Sequence, residues 1–473
     1  NPLCAYTVEK TNPNGEVHHV CVTADNRFLD GNTGASRANI FLQPYKKPDG
    51  TKSAWAIVGY EESKGVGIPP DHGDEHDCDT DSEDEHDTKY KPDEGKNVIY
   101  HSFDFLDPEL VSGGGILNLP ETDADGSPVY VVDEFGELLL DWKGDPQLAY
   151  ENARRVRFVS QPKSKAGESG TVLVALYRQG EEGKGKPADI FMRRAVSKTK
   201  GNPYAFGNFE PGAQNVSSVE PTVTWQNPFD SEKPEKMLRW TWTPDTLADS
   251  SAKHPRFDAK AQRGAINGDD LLIGFAWTPN WGRSANDKYD FFVRRSFNGG
   301  KDWSTDPKGS DIEHNVVFRV PVEDYETQTI TWDEEVVTTT YGPGALEPPR
   351  NVSNLRNNRV SVLEPRVVKT PGTIKNPDGT STGYPEDIWD SSVYQLAFGL
   401  EFNQNQLPDD VVYPKMPLDI YYSRTMDKGQ RYESVVVTPQ GGGGKSGEGW
   451  NPLAQDKPQQ GAAQLRQTPD GSR

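Results

Sequence analysis

The chain has 473 residues, with 51 Lys and Arg against 72 Asp and Glu, giving a net charge of −21. A surface that negative repels phosphate backbones and anionic lipid, which excludes nucleic acid and the inner membrane leaflet as partners and leaves divalent cations as favourable ones. Glycine (45) and proline (37) are abundant, hydrophobic residues make up only 33%, and no apolar run reaches the roughly 18 residues of a membrane-spanning helix, so the composition predicts an all-β chain of many short strands and long turns.

The first residue is Asn1 rather than Met, which predicts a processed chain or a piece of a longer one and an extracellular or cell-surface location. Cys4 and Cys21 either bridge a short N-terminal loop or remain thiols, and Cys78 is odd in both cases. None of them stands in the C-x-x-C-H arrangement, so no covalent haem is expected. His18 and His19, adjacent on a predicted strand, point to opposite faces and do not form one metal site.

An acidic insertion spans residues 66–95 between a predicted strand at 54–60 and another at 97–102. Within it, residues 71–87 hold ten Asp and Glu and three His, with no Lys or Arg. Asp77, Asp79, Asp81 and Glu83 alternate as hard oxygen ligands for Ca²⁺. The segment is not an EF-hand, because Ser82 stands where Gly is needed and Thr88 where Glu is needed. His72, His76, His86 and Cys78 offer a softer alternative for Cu, Ni or Zn, and a solvated, self-repelling loop is the third reading.

A repeat then emerges. Asp189-Ile-Phe-Met-Arg-Arg-Ala195 recurs as Asp290-Phe-Phe-Val-Arg-Arg-Ser296 and as Asp419-Ile-Tyr-Tyr-Ser-Arg-Thr425. Each copy follows a strand-like run, at 171–177, 270–277 and 394–400, and the pair at 54–60 and 97–102 is a fourth copy. Residues 218–224 resemble 361–368, with a Pro near the head of each; 236–242 and 315–321 read as further strands, and 244–268 as a polar, Pro-broken loop. The paired arginines at 193–194 and 294–295 are expected to bridge acidic groups between repeats. Asn215-Val-Ser217 and Asn351-Val-Ser353 match the glycosylation triplet.

Two copies extend into a sharper motif, Ser296-x-Asn298-x-Gly300-x-x-Trp303 and Thr425-x-Asp427-x-Gly429-x-x-Tyr432. The Asp or Asn accepts turn N–H groups, the Gly takes positive φ and the aromatic staples the hairpin. This motif resembles the Asp box of sialidases and related β-propellers, and the arrangement over 30–438 is similar to large secreted bacterial proteins of the choice-of-anchor type. The resemblance implies one propeller domain of six blades over residues 1–438, with long inserted loops and structural, non-catalytic Asp boxes.

The same resemblance calls for three Arg converging on a carboxylate, a Tyr activated by Glu and an Asp acid/base. The family's first Arg stands in an Arg-Ile-Pro context, whereas Arg37 here stands in Ser-Arg-Ala-Asn, so sialidase activity is not expected. Arg157 and Arg366, at the starts of strands, could face an axis, and Tyr325 lies among acids. From Pro439 to Arg473 the composition turns Gly-, Pro- and Gln-rich, as a linker or tail leading to an anchor or partner. The expected role is a secreted or surface binding and scaffold module, with a sialidase-like glycan hydrolase or a subunit of an extracellular filament as alternatives and no catalytic residues assigned.

Overall fold

The computed structural model describes mainly residues 35–63, 95–161, 167–180, 188–197, 209–217, 258–278, 289–324, 329–353, 360–369, 394–402 and 417–432, apart from a few positions within them, with shorter stretches at 6–11, 17–22, 28–29, 222–225, 236–239 and 451–452. The regular elements there are all β-strands, as the composition predicts. None is a helix long and apolar enough to cross a membrane.

Four antiparallel sheets have four strands each. The first has the order β4-β5-β6-β7, with β4 Ala35–Lys46, β5 Lys52–Ser63, β6 Lys96–Asp104 and β7 Asp107–Ile116. The second comprises β8 (Asn152–Ser160), β9 (Thr171–Gly180), β10 (Ala188–Ser197) and β11 (Gln214–Asn215). The third comprises β14 (Asp258–Asn267), β15 (Asp270–Thr278), β16 (Asp290–Ser296) and β19 (Arg350–Asn351). The fourth comprises β20 (Val360–Lys369), β21 (Tyr394–Phe402), β22 (Pro417–Thr425) and β23 (Asn451–Pro452). Against the six blades expected, the described residues hold four such sheets. A three-stranded sheet, β1 (Tyr6–Thr11), β2 (Val17–Val22) and β3 (Phe28–Leu29), and two ribbons, β12 (Thr222–Trp225) with β13 (Lys236–Arg239) and β17 (Ile312–Asp324) with β18 (Thr329–Tyr341), complete the elements.

Two compact units divide the chain. One holds residues 1–158, 177–186 and 201–208, the other 159–176, 187–200 and 209–473. In the second unit β15 shows why the repeats are legible. Leu271, Ile273, Phe275 and Trp277 pack with Val172, Ile190 and Val216, while Leu272 and Ala276 pack with Val362, Leu396 and Phe398. A strand covered on both faces carries a continuous apolar run. Gly274 marks a tight point, since an added Cβ would lie 2.6 Å from the Phe291 ring and 2.8 Å from Val367.

The two Asn-Val-Ser triplets have an architectural role. Ser217 Oγ accepts from Ile190 N (2.8 Å) and donates to Asp189 Oδ1 (2.7 Å), while Ser353 Oγ accepts from Phe291 N (2.9 Å) and donates to Asp290 Oδ1 (2.8 Å). In the first sheet Asn118 does the same work, accepting from Val98 N and donating to Asn97 Oδ1 (both 2.9 Å). Each clamp joins the fourth strand to the polar residue that opens the third. Asn215 is 1% exposed, so the glycosylation reading of that triplet is corrected: a buried amide cannot accept a glycan.

Two further expectations change. The stretch 244–268 contains β14, whose Ala-, Gln- and Arg-containing sequence lacks the apolar run of its neighbours and so concealed a strand. Residues 218–224 and 361–368 are not equivalents, because β12 lies in a two-stranded ribbon and β20 heads a four-stranded sheet. In the tail, Asn451–Pro452 pairs with Tyr421 and Tyr422 as the outer strand of the fourth sheet.

Ser353→Ala should lower unfolding free energy by about 1–3 kcal/mol, since it leaves the Phe291 N–H without its acceptor in a buried site. Urea unfolding measures this, and a loss under about 0.5 kcal/mol, typical of a surface change, would refute the clamp.

Candidate functional site

The two predicted turns share one hydrogen-bond pattern. Gly300 N donates to Ser296 Oγ (2.9 Å), and Lys301 N and Asp302 N donate to Asn298 Oδ1 (3.1 and 2.9 Å). In the other turn, Gly429 N donates to Thr425 Oγ1 and Arg431 N to Asp427 Oδ1 (both 2.8 Å). Gly300 and Gly429 take φ of +81° and +80°, which L side chains rarely adopt. The aromatics reach further than a hairpin staple: buried Trp303 packs with Val172 and Ile190 of the preceding sheet and donates to Gln214 Oε1 (2.9 Å), and Tyr432 packs against the next core along.

Each turn is gripped by an arginine of the repeated Asp-to-Arg segment before it. Arg194 donates to Gly299 O (3.0 Å) and Arg295 to Lys428 O (3.2 Å). Both guanidinium groups are fixed by two-pronged pairing, Arg194 with Glu210 (2.6 and 3.2 Å) and Arg295 with Glu347 (2.8 Å twice). The acids that pair with Arg194 and Arg295 belong to their own repeats rather than to the next one, which each arginine reaches through a carbonyl, whereas buried Arg294 donates to Asn215 O (3.1 Å) and Val216 O (2.9 Å) and lies over the Trp303 ring.

Glu347 also meets His314 Nε2 at 2.8 Å, and all three members of that cluster are buried. Burial pushes the Glu347 carboxyl up, but Arg295 and His314 outweigh it and hold it at about 2. Burial holds the His314 imidazole below its usual value against the pull of Glu347. The permanent Arg295 cation therefore balances the carboxylate, and a neutral His314 donates its Nε2–H.

The first strands of the four-stranded sheets share a backbone feature. Arg37 in β4, Arg155 in β8, Ala261 in β14 and Glu364 in β20 have φ of +53°, +60°, +59° and +50°. In β4, β14 and β20 these positions fall inside β-bulges, after which pairing resumes at Asn39, Arg263 and Arg366. Arg157 stands two residues after Arg155 in the same way. Bulges re-aim the side chain that follows. Arg157, Arg263 and Arg366 each turn an Nη1 onto the carbonyl just before them, at 3.1, 2.7 and 3.1 Å. Glu364 joins the last two, 3.5 Å from Arg263 and 2.7 Å from Arg366, and all three side chains keep partial exposure. Arg157 and Arg366 lie within their strands rather than at the starts, and Arg263 was not anticipated because β14 was not.

In the first unit, Arg37 belongs to a different arrangement. Glu61, fully buried, accepts from Arg155 N (2.7 Å) and lies 3.7 Å from Arg37 and 3.6 Å from Lys96. This carboxylate satisfies the amide of a residue at positive φ. A tyrosine–acid pair also occurs in the second unit: buried Tyr289 donates to Asp258 Oδ2 (2.5 Å), with Lys260 over its ring.

Asp77, Asp79, Asp81 and Glu83, the alternative ligands His72, His76, His86 and Cys78, and Tyr325 lie outside the described residues. Among the described residues no group of three or more His, Cys, Asp and Glu side chains could hold a metal. His18 and His19 pair with Lys10 and Glu9 across β1 and β2. No protein-family model matches this chain, and no curated protein matches it either.

Acid should destabilise the protein in two stages. His314, depressed in the fold, withholds a proton that the unfolded chain takes up, so its contribution falls as pH drops below about 6.5. Glu347 contributes stability above its unfolded value near 4.5 that is lost as pH falls toward about 2, on the order of 3 kcal/mol. Urea unfolding from pH 7 to 2 reads both stages. Glu347→Gln should be less stable at pH 7 by about 3–5 kcal/mol and flatter across the lower stage; an unchanged profile would exclude the cluster as the source.

Proposed function

We propose that this chain is a secreted or cell-surface binding module built as a sialidase-like β-propeller, whose second unit presents Arg263 and Arg366 on two neighbouring first strands to an anionic ligand. The observation that carries the reading is a repeat: an arginine stands two residues after a non-glycine residue at positive φ in three sheets, and in the second unit two of these, Arg263 and Arg366, share Glu364. In a chain of net charge −21, cations concentrated at equivalent positions create a local attraction for an anion that the surface otherwise repels. Planar guanidinium groups suit carboxylates. Without ligand, Glu364 occupies part of that coordination at Arg263 and Arg366, so an incoming carboxylate has to displace it, which favours reversible binding.

The three-arginine repeat also fits a glycan hydrolase, and the Tyr289–Asp258 pair would supply a phenol beside an acid. Tyr289 is 5% exposed and Asp258 is fully buried, so the pair serves better as a brace than as a nucleophile, and binding is the reading preferred. Residues 71–87 remain proposed as a Ca²⁺-binding loop on the strength of their alternating carboxylates.

Isothermal titration with an acidic monosaccharide, N-acetylneuraminic acid first and galacturonate second, tests the site. Arg263→Ala/Arg366→Ala should weaken binding about tenfold or more, and Glu364→Gln should tighten it, because a competing carboxylate is removed. Equal affinity in all three proteins would refute the site. A fluorogenic sialoside should stay uncleaved by the wild type; turnover would transfer the reading to the enzyme.

A further inference from the structure

Between β7 and β8 in the first unit, the described residues of the stretch 119–150 form a lobe held by isolated bridges. Bridges pair Thr122 with Pro128, Val132 with Leu138 and Leu140 with Pro146, and a stem pairs Tyr130 with Leu148 and Pro120 with Tyr150. Gly126, Gly136 and Gly144, one between the partners of each local bridge, take φ of +81°, +82° and +89°. Bridged partners point to one side, as do residues two apart along a strand. All the even-numbered bridge residues therefore share a face. On it Tyr130, Val132, Leu138, Leu140 and Leu148 are 36–52% exposed, while odd-numbered Val129, Val131, Gln147 and Ala149 behind them are half-buried. The alternation is inverted relative to an ordinary surface sheet: the apolar side faces outward.

The rim is acidic. Residues 119–150 contain eight Asp and Glu and one Lys, and Asp123, Asp125, Glu137 and Asp145 are exposed. An apolar centre ringed by polar groups is the anatomy of a protein–protein interface. The rim charge decides among occupants. A second copy would set two acidic rims against each other in a chain of net charge −21, and an anionic bilayer meets the same repulsion.

We propose that this face docks a partner protein presenting apolar side chains flanked by Lys or Arg. The proposal is independent of the anion site on the first strands. The probe is a short synthetic peptide alternating leucine with lysine, compared with a twin alternating leucine with glutamate, using fluorescence anisotropy at low and high salt. The lysine peptide should bind the full chain and the glutamate twin should not. Leu138→Ser/Leu140→Ser and Asp125→Lys/Glu137→Lys should each weaken binding about tenfold or more, while Glu313→Lys, an exposed acid in the second unit, should leave it unchanged. Unaltered far-UV circular dichroism would establish that the exposed substitutions preserve the fold. The proposal is overturned if the lysine peptide fails to bind, if the twins bind alike, or if binding survives Leu138→Ser/Leu140→Ser. It is equally overturned if ultracentrifugation finds a wild-type dimer, or co-sedimentation finds binding to phosphatidylserine vesicles, that this variant abolishes.

Discussion

The fold depends on a polar clamp between the third and fourth strands in three of its four-stranded sheets. An Asp or Asn opening the third strand cannot enter a packed interior without partners, and the fourth strand supplies them through Ser217, Ser353 or Asn118. A hydroxyl that accepts from the next N–H and donates to the carboxylate fixes register as well as satisfying both groups. Register then determines what lies five residues further on. Arg194 and Arg295 arrive opposite the turn at residues 296–303 or 425–432, where each is held by its own Glu and donates to a turn carbonyl. A local polar requirement is thereby converted into a contact between successive sheets.

Charge is distributed unevenly as a result. The acids exceed the bases by 21 over the chain, yet several cations are placed in buried or half-buried positions beside a carboxylate: Arg295 at Glu347, Arg263 and Arg366 sharing Glu364, and Lys96 at Glu61. Removing a partner from such a pair is costlier than the pair is stabilising, because the remaining charge keeps its desolvation penalty. The net excess of acid repels polyanions. The first-strand arginines and the lobe at 119–150 are two places where that background changes sign or is interrupted by apolar surface.

The bulges link architecture to site. Four first strands each hold a non-glycine residue at positive φ, a conformation that costs on the order of 1 kcal/mol and persists only where surrounding structure enforces it. In the first unit the Arg155 amide at such a position is satisfied by Glu61. In three sheets the residue two positions later is an arginine folded back on the chain, so the strained backbone and the repeated guanidinium group arise from the same device.

The sequence by itself determined the all-β class, the repeated Asp-to-Arg segments and the two turns at 296–303 and 425–432. These are local: β15 is covered on both faces and so carries an unbroken apolar run, and a turn that needs positive φ at Gly300 or Gly429 reveals itself within eight residues. Tertiary structure alone decided the rest. β14 had no apolar run to announce it, and Arg37, Arg155, Ala261 and Glu364 carry no residue signature of a bulge, because the neighbouring strand enforces that conformation. Asn215-Val-Ser217 had one reading as a surface triplet until burial of its side chains exposed it as a clamp, and the pairing of Glu347 with Arg295 and His314 joins residues far apart in the chain. Local chemistry fixes which conformations a segment can adopt; which of its polar groups meet one another is settled only when distant segments exclude water between them.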